Sequence, residues 1–97
     1  MQKKLVTIIT ESILEQMIVD DLKKIGAKGY TIIEARGSGA HGTRNADWGQ
    51  NQNIQIEVIC NDLTAQQIIE HCQKNYYSDY AMVIFTTDIQ VLRSDKF

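Results

Sequence analysis

Residues 4–10 hold a run of β-branched and leucine side chains of strand length, and the period then changes at once: Ile13, Leu14, Met17, Ile18, Leu22 and Ile25 recur at helical spacing. The pattern predicts a strand followed by a helix. Ser12 with Glu15 fits a capping box at the helix start, and Gly26 stands where its C-terminus needs a residue tolerant of positive φ. Residues 30–35 read as a second strand. Ile54, Ile56, Val58 and Cys60 alternate with Gln55 and Glu57, as in a third strand with one wet face. Thr64 with Gln67 predicts a second capping box, after which Ala65, Ile68, Ile69, Cys72 and Tyr76 share one helical face.

Residues 80–85 form a continuous apolar run that predicts a fourth strand, with 88–93 extending it or forming a short extra strand. The order βαββαβ is that of an α+β, ferredoxin-like domain, in which two helices cover one face of a four-stranded antiparallel sheet. Successive strand side chains point to opposite faces, so Met82 and Ile84 cannot share a face with Ala81, Val83 and Phe85. Two helices can cover only one of these faces. The other predicts a homo-oligomer packed sheet to sheet.

A chain of 97 residues is expected to form one domain, 1–97, without internal repeats. Its net charge of −2 lacks the broad basic surface of a nucleic-acid binder. The basic N-terminus leads into a strand of mixed polarity and not into a long apolar stretch, so a cytoplasmic protein is expected. Cys60 and Cys72 are not spaced as a CxxC pair and fall at core positions, which predicts buried free thiols. His71 has no second metal ligand at suitable helical spacing and is expected at the surface. Tyr76 and Tyr77 are expected to form a core pair at the helix end. Glu11, Asp62, Asp79 and Asp88 are expected to be caps and solvated turns.

The chemistry concentrates in the segment 37–52, longer than the ~12–15 residues beyond which a structureless connection is usually functional or mobile. It is expected to be poorly ordered without ligand. Gly37, Gly39 and Gly42 would let backbone amides approach an anion, and Arg36 and Arg44 supply charge-assisted donors suited to phosphate. A guanidinium at the loop root, Arg36, and an imidazole at its crest, His41, can each donate to an anion. The run is not GxGxxG in register and lacks the Lys-Ser/Thr pair of a P-loop, so on residue types alone a plain hairpin connection competes with a binding loop. Trp48 fits either a partner anchor or packing against its own subunit.

The segments Leu5-Val6-Thr7-Ile8-Ile9-Thr10-Glu11, Ile25-Gly26-Ala27-Lys28-Gly29-Tyr30-Thr31, Gly42-Thr43-Arg44-Asn45 and Asp79-Tyr80-Ala81 together resemble the PII signalling superfamily, nearly end to end. The likeness is to the PII-like proteins that accompany the bicarbonate transporter of cyanobacteria. The resemblance implies a homotrimer that binds an adenine nucleotide (AMP, ADP, ATP or cyclic AMP) in clefts between subunits, with no tightly bound cofactor or metal. It also implies a loop after strand two, the T-loop, that regulates a partner such as a membrane transporter. Position by position, Thr31 would lie near the adenine, Gly37 and Gly39 would lend backbone donors, and Arg44 and Asn45, with Thr43 beside them, would meet phosphate. Arg93 is a further candidate near the chain end.

Departures from the family pattern alter these expectations. The loop is a few residues longer, and Asp47 stands where those relatives have a second arginine, which weakens the expected phosphate contact. Their cysteine-containing C-terminal extension has no counterpart before Phe97, so redox control through it is not expected. Compared with ordinary PII proteins, the basic residue of the loop before the last strand is replaced in the region 80–82, and the uridylylated tyrosine has no counterpart. Two other classes compete: a small ferredoxin-like hydrolase acting on a phosphate ester or acyl phosphate, and a trimeric adaptor or metal-tolerance module that binds no nucleotide. Nothing in the chain suggests an activated nucleophile or a compact carboxylate set for the first.

Overall fold

A computed structural model describes residues 2–37 and 52–93. In chain order these form strand β1 (Gln2–Glu11), a 3-10 turn (Ser12–Leu14), helix α1 (Glu15–Ile25), strands β2 (Thr31–Ala35) and β3 (Asn53–Cys60), helix α2 (Asp62–Asn75) and strand β4 (Met82–Gln90). The four strands make one antiparallel sheet in the order β2-β3-β1-β4, the expected ferredoxin-like topology. β2 and β4 are therefore the sheet edges, and residues 88–90 extend β4 without forming a further strand.

Pairing of Ile8 with Ile56 and with Ile84 sets the register, which brings the alternate residues Val6, Ile8 and Thr10 of β1 onto the face that carries Ile54, Ile56 and Val58 of β3. These side chains meet Leu14, Ile18 and Leu22 from α1 and Ala65, Ile68, Cys72 and Tyr76 from α2 in one core. Each large aliphatic side chain buried there contributes about 1.5–3 kcal/mol. Cys60 and Cys72 are buried free thiols, and burial pushes the Cys72 thiol up to about 12.

Several local expectations need correction. The capping box at Ser12 does not form: β1 runs on to Glu11, the Ser12 amide donates to the Gln52 carbonyl (3.0 Å), and α1 starts at Glu15 without a side-chain cap. That 3-10 turn also rotates Ile13 (76% exposed) and Met17 (49%) away from the core, where the period had placed them. α2 begins before Thr64, because Asn61 is the residue in extended conformation and its side chain accepts the Thr64 amide at 2.8 Å. Tyr76 is buried but Tyr77 is exposed, so they do not form a core pair. His71 is half-buried, its Nε2 lying 2.9 Å from Asp21 of α1. Gly26 does adopt the left-handed conformation, with φ 103°.

The second sheet face carries Leu5, Thr7 and Ile9 of β1, Gln55, Glu57 and Ile59 of β3, Val83 and Phe85 of β4, and Ile33 of β2. No described helix covers it, and Phe85 stays 48% exposed in the single chain. Both faces of β4 are thus apolar while only one is packed, which agrees with the alternation in its sequence.

Candidate functional site

Ala35, the last residue of β2, pairs with Asn53, the first of β3. Residues 36–52 therefore leave and return at one end of the sheet, on neighbouring strands. Arg36 and Gly37 form the exposed outgoing root, and the Ser12–Gln52 bond ties down the returning one. Beside it lies a depression of about 320 Å³ lined by Glu11, Ser12, Ile13 and Gln52.

The connection between α2 and β4 reaches the same end of the sheet and is fixed on both sides. At its start, Tyr76 donates its phenol to the Asp21 carboxylate, and burial, with this bond second, holds that phenol above its ordinary pKa. The backbone of Tyr76 accepts the amides of Asp79 and Tyr80, at 3.1 and 3.0 Å. At its far end Ala81 is clasped by β1: the Thr10 hydroxyl donates to its carbonyl, and its amide donates to the Glu11 carboxylate, each at 2.7 Å. Glu11 is accordingly neither a helix cap nor a solvated turn residue. At the opposite end of the sheet Lys4 bonds Asp88 and lies 3.6 Å from Asp62, and the Asp88 hydrogen bond raises the Lys4 pKa.

Thr31, Arg36 and Gly37 all lie on or next to the edge strand β2, and all three are exposed. From Thr31 to Arg36 the extended chain spans about 16 Å. Thr31 sits on the open face in register with Glu57, whose carboxylate also accepts the Gln55 side-chain amide at 3.0 Å. Among the described residues, no atom lies within 4 Å of where a Cβ at position 37 would stand. Arg93 is also exposed, but it follows β4, the other edge strand, beyond the pairing of Gln90 with Gln2. Arg36 and Arg93 are thus on opposite edges and at opposite ends of one sheet, and a single chain does not bring them together. Gly39, His41, Thr43, Arg44, Asn45, Asp47 and Trp48 lie outside the described residues.

Two groups at the site escape the sequence pattern. Glu57 gives an acceptor beside Thr31, suited to an exocyclic amine or a ribose hydroxyl; its alternation in β3 is legible, but its neighbour across the sheet is not. Thr10 and Glu11 act on Ala81, 71 and 70 positions away, which no local pattern announces. Among the described residues no group of His, Cys, Asp and Glu could hold a metal ion, and no helix is long and apolar enough to cross a membrane.

A family model described as nitrogen regulatory protein P-II matches residues 3–96. Among solved structures, a PII-like signalling protein of Thermus thermophilus is 42% identical, with a TM-score of 0.83 and coverage of 99% of this chain and 95% of that one. CPII of Thiomonas intermedia, solved bound to ADP, AMP and acetate, is 29% identical over 99% of this chain and 94% of that one, with a TM-score of 0.85. The same protein bound to ADP and bicarbonate aligns at 30% identity over 100% and 95% of the two chains, TM-score 0.84. These likenesses carry the superfamily, not the branch that accompanies a bicarbonate transporter. With sheet order, loop position and family match in agreement, the chain belongs to the P-II nitrogen regulatory protein family.

Proposed function

We propose that this chain is a non-enzymatic sensor of adenine nucleotides that works in the cytoplasm as a homotrimer, with residues 37–52 of a single 1–97 domain as its T-loop. The observation that carries the reading is the placement of Thr31, Arg36 and Gly37 along one exposed sheet edge, with Arg93 on the far edge. A ligand gripped by both sets needs a neighbouring copy, and the open apolar face around Phe85 supplies a surface for one. CPII, one solved form of which is bound to ADP and AMP, supports the choice of ligand.

In this arrangement Thr31 and Glu57 face the adenosine end, Arg36 and the Gly37 amide meet the phosphates, and Gly39, His41, Thr43, Arg44 and Asn45 complete the grip from the loop. The bound nucleotide orders the loop and so changes its affinity for a protein partner, such as a membrane transporter that recruits the trimer to the membrane surface. The switch requires the nucleotide to prefer one loop state, since equal affinity for both shifts nothing.

Calorimetry with AMP, ADP, ATP and cyclic AMP tests the site. At least one is expected to bind, and Arg36→Ala or Arg44→Ala to weaken it by about 1–3 kcal/mol through loss of a charge-assisted contact. Failure of all four at millimolar concentration favours the adaptor reading, and turnover of nucleotide by the pure protein favours the hydrolase. Protease cleavage within 37–52 is expected to slow when nucleotide is present; unchanged cleavage contradicts the switch.

A further inference from the structure

The carboxylate of Asp21, on α1, gathers two donors from the end of α2 onto one oxygen. His71 Nε2 lies 2.9 Å from Oδ2, and the Tyr76 phenol donates to the same atom. The imidazole stands edge-on to the Tyr76 ring, with centroids 6.1 Å apart, and Tyr80 meets the Tyr76 ring in the same manner at 6.2 Å. Asn75 sets the tautomer of His71. Its side-chain amide donates to the His71 carbonyl at 2.8 Å and lies 3.3 Å from Nδ1, which leaves Nε2 as the protonated nitrogen of the neutral ring. The pair is partly shielded from water, with 34% of the His71 side chain and 18% of the Asp21 side chain exposed.

We infer that His71 and Asp21 form a clasp between α1 and α2 that a proton tightens. The neutral ring already donates to the carboxylate, and a second proton adds the attraction of a full positive charge across a short, partly shielded contact. That proton goes to Nδ1 and displaces Asn75 from it, but this is the longer of the two Asn75 contacts, and the one to the His71 carbonyl is kept. Burial first, and Asp21 after it, raise the Cys72 thiol and the Tyr76 phenol above their ordinary values. Of the groups gathered here the imidazole is therefore the one that changes charge between about pH 5 and pH 8. The native contact favours the charged ring, so its stabilisation is present on the acid side and is lost as pH rises through the histidine range. The Tyr76 carbonyl accepts the Asp79 and Tyr80 amides, so the same clasp holds the start of the connection that leads to Ala81.

Thermal melts at about pH 5.5 and about pH 8, at one subunit concentration, test the clasp in wild type, His71→Gln, Asp21→Asn and His41→Gln. Asp21→Asn keeps an oxygen for the Tyr76 phenol and removes the charge. On passing from the higher pH to the lower, the melting temperature of wild type is expected to gain about 2–5 °C more than that of His71→Gln. Asp21→Asn should lose the same part of the gain, and His41→Gln, which removes the other of the two histidines, should keep it. An equal gain in wild type and His71→Gln, or a gain kept in full by Asp21→Asn, overturns the clasp. Loss of the gain in His41→Gln alone assigns it to that residue and overturns the clasp as well.

Discussion

The hydroxyl of Thr10, with no exposed surface, donates to the carbonyl of Ala81 at 2.7 Å and locks the start of β4 to the end of β1. Thr10→Val keeps the shape and removes the donor, so it is expected to cost about 1–2 kcal/mol of folding stability. Thr10→Ser should recover most of that loss. Urea denaturation of both variants checks it, and equal loss in the two would assign the effect to packing.

Alkaline pH is expected to weaken the fold. Burial raises the Cys72 thiol from 9.0 to about 12, and burial with the Asp21 bond raises the Tyr76 phenol above 10.0. Both folded-state values lie above the unfolded ones, so the stabilisation is complete below about pH 9 and is lost as pH rises toward 12. Denaturation at about pH 7 and about pH 10.5 should differ by on the order of 1–3 kcal/mol, with a smaller difference in Cys72→Ala.

Two glycines on either side of Ala27 should respond differently to alanine. Gly26 ends α1 at φ 103°, so Gly26→Ala is expected to cost about 1 kcal/mol through backbone strain alone, since no atom lies within 4 Å of the added Cβ. Gly29 has neither a left-handed φ nor a close neighbour, and Gly29→Ala should stay within about 0.5 kcal/mol of wild type. Thermal melts of the two variants measure the contrast.

Much of this fold was legible in the chain. The period-two run of β3 and the helical spacing of Leu14, Ile18 and Leu22 each bury what the pattern says they bury. What misled was local. Ser12 with Glu15 has the composition of a cap, but a cross-strand bond to Gln52 takes the Ser12 amide and a 3-10 turn delays the helix, which turns Ile13 outward. Similarly, Asn61 caps α2 three residues before the expected start, because cap geometry depends on which residue is extended and several polar residues there can serve. For the site, Thr31 could be placed on the second strand, and Arg36 and Gly37 just past its end, from sequence order alone. The distance between Arg36 and Arg93 could not, because only the strand order puts them on opposite edges.

Phe85 pairs across the open face with buried Thr7 and is itself 48% exposed. Phe85→Glu places a charge on that face without touching the helix-packed core. The expected outcome is a folded monomer, with far-UV circular dichroism unchanged and the sedimentation coefficient lowered. A Phe85→Glu trimer would assign assembly to another surface.

Co-assembly of Arg36→Ala and Arg93→Ala subunits tests the nucleotide site between neighbours most directly. Each variant alone is expected to bind ADP weakly. A mixed trimer contains one junction in which an intact Arg36 faces an intact Arg93, so mixing should restore a fraction of sites with wild-type affinity. If mixing restores none, or if a monomeric variant binds ADP as tightly as wild type, the ligand is held within one chain and the shared site does not exist.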